Sequence, residues 1–240
     1  MTTGGDGTAS GSKAQAVVIG AGGGIGHALL TQLRSDDRFS SVTGFSRREE
    51  PALDVLSEAS IAAAADRIAS GDGPLRLVIV ASGFLHGDDQ MPEKSIRDLD
   101  RTALVNSMAV NAIGPALVMK HFLPLFPKEG RAVFAALSAR VGSIEDNRLG
   151  GWYGYRASKA ALNQFVRTGA VELKRRCREA VCVTVHPGTV DTRLSQPFAK
   201  KGLKVRAPEE AATDILDVLN RLGPGDSGGF FAWDGQRIPF

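Results

Sequence analysis

Tyr155 and Lys159 stand four residues apart in the segment 152–173, which has the residue pattern of a helix. That separation places the phenol and the ammonium on one helix face. An ammonium beside a phenol favours the phenolate and lowers the pKa of the tyrosine, which can then exchange a proton near neutral pH. The pair therefore predicts acid–base chemistry on a hydroxyl or carbonyl group. Taken alone, the same residues fit a surface Tyr–Lys pair at least as well.

A glycine-rich turn near the N-terminus provides the context for this pair. An apolar run at residues 16–19 is followed by five glycines within residues 20–26 and then by a helical pattern to Leu33. Glycines let a backbone approach a pyrophosphate, and a helix N-terminus presents unpaired N–H groups to an anion. Strand, turn and helix in this order favour a dinucleotide site over a flexible linker.

Four motifs, in this order and spacing, resemble those of the simple, single-domain short-chain dehydrogenases/reductases. They are the glycine motif at residues 20–26, the Asn-x-x-Gly setting of Asn111, the Tyr-x-x-x-Lys pair at Tyr155 and Lys159, and the Pro-Gly-x-Val-x-Thr loop at residues 187–192. The likeness covers the chain from residue 15 onward, with Ile19 where the family has threonine. Residues 137–144 and 151–156 are similar to a branch that includes carbonyl reductases and developmental-signalling proteins.

The resemblance implies hydride transfer between a nicotinamide cofactor and a carbonyl or secondary alcohol. Tyr155 would act as general acid or base, and Lys159 would lower its pKa and hold the nicotinamide ribose. Asn111 would hold a water that links Lys159 to solvent, although a buried asparagine at a helix kink fits the sequence too. A serine would polarise the substrate oxygen.

The sequence departs from the family pattern at two places. The family serine stands three residues before a glycine, but Ala139 is three residues before Gly142. Ser138, which ends a predicted strand, is favoured for the role over Ser143. The family's Asn-Asn-Ala-Gly segment is replaced at residues 80–83 by a sequence that keeps the glycine and loses both asparagines.

The end of the second predicted strand indicates which cofactor binds. Ser46, Arg47 and Arg48 suit a ribose 2′-phosphate, so NADP(H) is preferred. Glu49 and Glu50 leave NAD(H) possible, since a carboxylate can bind the free 2′-hydroxyl. The predicted cofactor-binding set, in part from the resemblance, is Gly20, Gly24, Ile25, Gly26, Ser46, Arg47, Arg48, Asp54, Ala81, Ser82, Gly83, Tyr155, Lys159, Pro187, Gly188, Val190 and Thr192. Asp54 would bind the adenine amino group, or would be an ordinary cap of the next helix.

Apolar β-rich runs alternate with helical stretches along the chain. Strands are predicted at residues 16–19, 41–45, 75–81, 132–137, 181–186 and 229–233, and helices at 25–33, 59–69, 100–122, 152–176 and 208–222. This alternation predicts an α/β fold, a Rossmann-type doubly wound parallel sheet with helices on both faces. Residues 15–240 would form a single domain after a flexible tail at residues 1–14. Ligands should bind beyond the carboxyl ends of the strands.

Composition narrows the class of protein. The formal net charge is only +3, and the cations are dispersed without interleaved aromatic residues, so a nucleic-acid partner is not expected. Two cysteines are too few for a disulfide scaffold or a tetrahedral metal site. No secretion signal and no run of eighteen apolar residues stand out, so the sequence predicts a soluble, cytoplasmic protein without a membrane partner.

The expected substrate is a small carbonyl or alcohol compound with apolar character. Its walls would come from Phe84, Leu85, the loop 140–152 and a flap at residues 193–205. A homodimer or homotetramer is expected through the helices that carry Asn111 and Tyr155. Two other interpretations stay open: a cofactor-binding regulatory or signalling protein with weak catalysis, and, less favoured, a nucleotide-sugar epimerase or dehydratase.

Overall fold

The computed structural model describes residues 14–48, 50, 52–87, 90–198 and 205–240. Its strands are β1 Ala14–Ile19, β2 Phe39–Phe45, β3 Leu75–Val80, β4 Val133–Leu137, β5 Val181–His186 and β6 Phe230–Ala232. Its α-helices are α1 Gly24–Arg34, α2 Glu58–Ala69, α3 Arg101–Met108, α4 Gly114–Phe122, α5 Tyr153–Arg176 and α6 Pro208–Arg221. Each predicted strand and helix therefore has a counterpart in the structure.

The six strands pair in parallel in the order β2-β1-β3-β4-β5-β6 within the described part of the chain. Apolar side chains from α2, α4 and α5 pack on one face of the sheet, and those from α1 and α6 pack on the other. Strand β4 is apolar along its length, and β3 is apolar apart from Arg76, because both faces of the sheet are covered here. This arrangement confirms the predicted Rossmann-type parallel sheet with helices on both faces.

The predicted helix at residues 100–122 is interrupted in the middle. A π-helical turn, Ala109–Ile113, separates α3 from α4, and Asn111 lies in it, fully buried. Such a turn widens the helix locally, and it often marks a functional position. The sequence pattern predicted the helical run and left open a kink at a buried Asn111, but it did not predict the π-helical form of the interruption.

The run Arg101–Leu125 is long and apolar enough to cross a membrane by length and composition alone, with a mean hydropathy of 1.4. Val118 and Phe122 within it are fully buried in the core beneath the sheet. Packing against the sheet accounts for this apolar character, so the helix is compatible with a soluble fold.

The start of β1 and the connection from β2 to α2 can be compared with the boundaries that the sequence predicted. Ala14, which the sequence assigned to the N-terminal tail, pairs with Phe39 and starts β1. The rest of that tail lies outside the described residues. Between β2 and α2 the described chain forms no helix, only a parallel bridge from Ser46 to Ala52. Cys177 and Cys182 are both free and buried, as expected for reduced structural thiols.

Candidate functional site

The predicted site residues follow the carboxyl ends of neighbouring strands. Gly20, Ser82, Ser138 and Pro187 come directly after or within two residues of β1, β3, β4 and β5, which are parallel and adjacent. Parallel strands end at the same edge of a sheet, so these residues share that edge. The structure therefore brings the glycine turn and the catalytic candidates to one side of the molecule.

The glycine turn is packed too tightly for side chains at two of its positions. A Cβ on Gly20, whose φ is +89°, would lie 2.7 Å from the backbone nitrogen of Ser82. A Cβ on Gly26 would lie 2.2 Å from the backbone oxygen of Gly20. The turn therefore packs directly against the residues that follow β3, and the start of α1 packs directly against the turn. A side chain at either glycine would prevent this close approach.

The atoms around this turn fit a dinucleotide. No side chain caps the N-terminus of α1, which leaves its first N–H groups for an anion. The Ser82 hydroxyl is buried and has no hydrogen-bond partner. A buried hydroxyl without a partner is costly, so a ligand group at this position would satisfy it. Thr192 also closes on the turn, because a Cβ on Gly24 would lie 3.1 Å from its Cγ2.

The predicted ribose-binding residues lie beside the same turn. A Cβ on Gly22 would lie 3.2 Å from the Cβ of Ser46. Arg47 and Arg48 are exposed, and neither makes an ion pair within the described part of the chain. Glu49, the residue weighed in favour of NAD(H), lies outside the described residues.

Asp54 does not cap the next helix. Its Oδ1 accepts a hydrogen bond from the Leu56 backbone at 3.0 Å, whereas the N-cap of α2 is Ser57, which accepts from Ser60. The interpretation of Asp54 as a simple helix cap is therefore wrong, because the N-cap residue lies three positions later and the helix begins at Glu58. Its second carboxylate oxygen makes no hydrogen bond with the described residues.

Tyr155 and Lys159 occupy the first two turns of α5, and their electrostatics differ from the prediction. The Lys159 ammonium is buried, donates to the backbone oxygen of Leu137 at 2.8 Å and lies 5.8 Å from the centroid of the Tyr155 ring. Burial lowers the pKa of Lys159 to about 8. Burial also raises the pKa of Tyr155 above its ordinary value, so the expected lowering by Lys159 is not observed. The reason is that desolvation dominates while the ammonium points at a carbonyl.

Asn111 fixes the loop that follows β3. Its Oδ1 accepts from the Phe84 nitrogen at 2.8 Å, and its Nδ2 donates to the Phe84 oxygen at 2.7 Å and to Ser158 Oγ at 3.1 Å. A Cβ on Gly83 would lie 3.7 Å from Asn111 Oδ1 and 3.8 Å from Lys159 Nζ. Both amide hydrogens are used, so one lone pair of Oδ1 is left for a further donor near Lys159.

The two candidate serines have different surroundings. The Ser138 hydroxyl is buried, at 3% exposure, and has no hydrogen-bond partner. Ser143 Oγ accepts from the Asp146 nitrogen at 3.0 Å and so stabilises its own loop. Ser138 directly follows Leu137, whose carbonyl binds the ammonium of Lys159. The unpaired Ser138 hydroxyl therefore belongs to the residue next to the one that binds the Lys159 ammonium.

Aromatic rings from separate segments form a row of contacts that runs from Tyr155 through Trp152 and Phe198 to His86. The ring centroids of Trp152 and Tyr155 are 6.2 Å apart, those of Trp152 and Phe198 are 5.0 Å apart, and those of His86 and Phe198 are 5.5 Å apart, all edge to face. His86 Nε2 also contacts the backbone oxygen of Arg193 at 3.0 Å. The predicted flap thus reaches the site through residues 193–198, and its residues 199–204 lie outside the described part.

Several structural residues at the site were not found from the sequence. Arg206 is buried, pairs with Asp214, and its guanidinium carbon lies 4.1 Å from the centroid of the Trp233 ring. Its backbone bonds to Thr189 and Asp191 hold the predicted Pro-Gly loop. Glu93 is likewise buried against the start of α5. These contacts join distant parts of the chain, and no local pattern signals them.

His186 lies at the end of β5. Burial lowers its pKa to about 4, so the imidazole is neutral at physiological pH. Its Nδ1 is buried without a hydrogen-bond partner. The low pKa makes His186 a poor proton donor near neutral pH.

Known proteins share this fold and these motifs. A family model described as enoyl-(acyl carrier protein) reductase matches residues 31–217. Over 232 residues the chain is 31% identical to 1-hydroxy-2-glutathionyl-2-methyl-3-butene dehydrogenase of Rhodococcus sp. strain AD45, covering 92% of this chain and 97% of that protein. Over 146 residues it is 34% identical to C-signal of Myxococcus xanthus, covering 61% and 84% of the two chains.

A solved structure extends the comparison to three dimensions. The NADPH-bound carbonyl reductase from chicken fatty liver superposes with a TM-score of 0.81 at 26% identity, covering 94% of each chain. The match of the family model spans well over half of the sequence, and the dehydrogenase relative spans nearly all of it. The chain therefore belongs to the short-chain dehydrogenase/reductase family of NAD(P)-dependent oxidoreductases, as its four motifs predicted.

Proposed function

We propose that the protein is an NADPH-dependent reductase of an apolar carbonyl compound, with Tyr155 as the proton donor. The observation that carries the proposal is the pair of groups at the end of β4. The Leu137 carbonyl holds the Lys159 ammonium, and the adjacent Ser138 hydroxyl is buried without a partner. A hydroxyl held in this way is free to donate to a substrate oxygen as negative charge develops there.

The glycine turn and the arginines support NADPH as the cofactor. The first turn of α1 and the Ser82 hydroxyl would bind the pyrophosphate side, and Arg47 and Arg48 would bind the 2′-phosphate. Bound NADPH supplies the hydride. The chicken carbonyl reductase, which has the same fold, is NADPH-bound. NAD(H) is the less favoured cofactor because no described carboxylate follows β2 directly.

The electrostatics of the site suit reduction. A raised pKa keeps the Tyr155 phenol protonated at neutral pH, as a proton donor to a carbonyl oxygen must be. Lys159, with a pKa near 8, can hold or release a proton close to physiological pH. It would support Tyr155 and bind the nicotinamide ribose. Asn111, with one free lone pair near Lys159, would hold a water that returns protons to it.

The aromatic wall and the flap support an apolar substrate. The Trp152 ring contacts both the Tyr155 ring and the Phe198 ring, and Leu194 lies within 3.7 Å of a Cβ placed on Gly83. Apolar walls with a few polar groups at the reacting atom are typical of small-molecule sites. The reaction would convert the carbonyl into a secondary or primary alcohol.

A homodimer or homotetramer through the helices that carry Asn111 and Tyr155 is part of the proposal. Val105, Phe165 and Val171 on α3 and α5 are exposed apolar side chains. A contact between copies would remove them from water. Light scattering at micromolar concentration should give at least twice the mass of one chain, and a monomer would contradict this part.

The test is a screen of carbonyl compounds for NADPH oxidation by the purified protein. Tyr155→Phe should reduce kcat by on the order of 10²–10⁴ because it removes the proton donor. NADPH affinity, measured by isothermal titration, should stay within about threefold of the wild type, since the phenol contributes little to binding. Equal turnover by the wild type and Tyr155→Phe on every reduced substrate would disprove the role of Tyr155.

A regulatory or signalling role is the second candidate function. Ala139 occupies the position of the family serine, and the chain is similar to C-signal of Myxococcus xanthus. The same screen separates the two candidates. Tight NADPH binding without oxidation of NADPH by any carbonyl compound would favour the regulatory role.

A further inference from the structure

The chain enters helix α5 through a left-handed turn. Gly150, Gly151 and Trp152 have φ values of 64°, 64° and 54°. Trp152 is the only non-glycine residue with a positive φ among the described residues. A tryptophan in this conformation is strained, so surrounding contacts must hold it there.

Glu93, from the loop before α3, supplies those contacts. Its backbone oxygen accepts a hydrogen bond from the Trp152 nitrogen at 2.5 Å. Its side-chain Oε2 accepts from the Gly154 nitrogen at 3.1 Å, across 61 positions of sequence. Trp152 itself offers no side-chain cap to α5. Glu93 therefore caps the helix from outside, and its negative charge faces the positive end of the helix.

The carboxylate is enclosed where it binds. Glu93 is only 6% exposed and makes no ion pair within the described residues. A Cβ on Gly154 would lie 2.9 Å from Glu93 Oε1 and 3.3 Å from Ser107 Oγ. The absence of a side chain at Gly154 thus lets the carboxylate reach the helix backbone. A buried carboxylate needs a donor such as the Gly154 N–H, and removal of the carboxylate leaves that N–H without its acceptor.

This cap is adjacent to the proposed proton donor. Gly154 directly precedes Tyr155, and the Trp152 ring packs against both the Tyr155 ring and Phe198. We propose that Glu93 is a positioning residue, which fixes the direction of the Tyr155 phenol by capping α5 and holding Trp152 in the left-handed conformation. The proposal rests on the proposed function of Tyr155. In this role Glu93 would act through the start of α5 and not by direct contact with substrate or cofactor.

Three variants separate the effect of the length of the Glu93 side chain from the effect of its charge. Glu93→Gln keeps an oxygen that can reach the Gly154 nitrogen, Glu93→Asp keeps the charge but is one methylene too short, and Glu93→Ala loses both. With the reduced carbonyl substrate, kcat should fall on the order of 10–100-fold in the Ala and Asp variants, because small displacements of a catalytic group are costly. The Gln variant should stay within about threefold of the wild type. KM for NADPH should change less than about twofold in all three.

Asp100→Ala is the matched control. Asp100 caps α3, where its Oδ1 accepts from the Ala103 nitrogen at 2.8 Å, and its residue is exposed. The substitution removes a helix-capping carboxylate of the same kind and should lower Tm while kcat is retained. A fall in kcat equal to that of Glu93→Ala would assign a general structural role to Glu93 and overturn the proposal. If Glu93→Ala does not fold, the contrast between Gln and Asp decides, and a more active Asp variant would overturn it.

Hydrogen–deuterium exchange gives a readout that needs no substrate. The peptide spanning residues 150–156 should exchange faster in Glu93→Ala and Glu93→Asp than in the wild type and Glu93→Gln. Unchanged exchange would overturn the capping role even if activity falls. If the wild type reduces no carbonyl compound, the proposed function fails, and the exchange experiment still tests whether Glu93 holds the start of α5.

Discussion

The cofactor side and the substrate side of the site are built from different parts of the chain. Around the glycine turn, backbone atoms meet backbone atoms, as in the contacts of Gly20 and Gly26. On the substrate side, side chains meet side chains, as in the contacts of the Trp152 ring with the rings of Tyr155 and Phe198. A backbone cradle tolerates almost no added volume, whereas side chains can repack. The two halves should therefore respond differently to substitution.

Gly26→Ala should have the largest effect of the variants considered. Its new Cβ would lie 2.2 Å from the Gly20 oxygen, and backbone on both sides prevents relief. We expect loss of NADPH binding and a loss of at least ~2 kcal/mol in the free energy of unfolding. Gly23→Ala is the matched control, since its Cβ would lie 3.4 Å from the same oxygen and should cost at most ~1 kcal/mol. Thermal unfolding and titration with NADPH measure both effects, and equal behaviour of the two variants would refute the backbone cradle.

The same contrast explains what the sequence could predict. The strand ends and the glycine turn follow from local composition, and the sheet places them together by its parallel topology. The direction of the Lys159 ammonium depends on which acceptor lies nearby, and here that acceptor is the Leu137 carbonyl. Helical spacing placed Tyr155 and Lys159 on one face correctly, but it carried no information on desolvation, which raises the phenol pKa.

Features that depend on distant contacts were not predictable. The π-helical turn at Asn111 lies within a run whose pattern is that of an ordinary helix. The left-handed conformation of Trp152 is held by Glu93, and nothing in the sequence pairs these two residues. Residue types therefore predicted the family and the fold, while tertiary contacts set the geometry of the candidate site.

Ser138→Ala tests the substrate side directly. If Ser138 polarises the substrate oxygen, its loss should lower kcat on the order of 10²–10³, as for a comparable preorganised donor. Ser143→Ala is the control, because it removes only the acceptor of the Asp146 nitrogen. That variant should lose on the order of 1 kcal/mol of stability and keep most of its turnover.

Steady-state kinetics of both serine variants at saturating NADPH provide the measurement. A larger loss in Ser143→Ala would show that the catalytic hydroxyl belongs to the loop after Gly142. If neither variant loses activity, the role of the family serine is absent from this protein, which has Ala139 at that position. The substrate side would then depend on Tyr155 alone.

Lys159→Met should separate function from stability on the substrate side. Burial lowers the pKa of Lys159 from 10.5 to about 8. Below pH 8 the lysine is protonated in both the folded and the unfolded chain, so burial of its charge lowers the free energy of unfolding. Removing the charge should raise the free energy of unfolding at pH 7 by ~1–3 kcal/mol. This range allows for the loss of the hydrogen bond to Leu137, which offsets part of the gain. Turnover should fall. The folded wild type releases this proton first as pH rises from 8 to 10.5, so its cost disappears over that range. Urea unfolding across this range should show the advantage of the variant shrinking, and a constant difference would contradict the burial of a charged lysine.

Arg47→Ala should have the smallest effect of these variants. It tests whether a side chain, and not only the backbone, contributes to cofactor binding. Arg47 is exposed, so its bond to a 2′-phosphate is screened by water, and we expect a roughly tenfold loss of NADPH affinity. NADH affinity should stay within about twofold, because NADH lacks that phosphate. Arg97→Ala, an exposed arginine before α3, is the control and should leave both affinities unchanged. Isothermal titration with both cofactors measures the difference. An equal loss for NADPH and NADH would mean that Arg47 supports the turn rather than reads the phosphate, and the cofactor side would then discriminate through its backbone and Ser46 or Arg48.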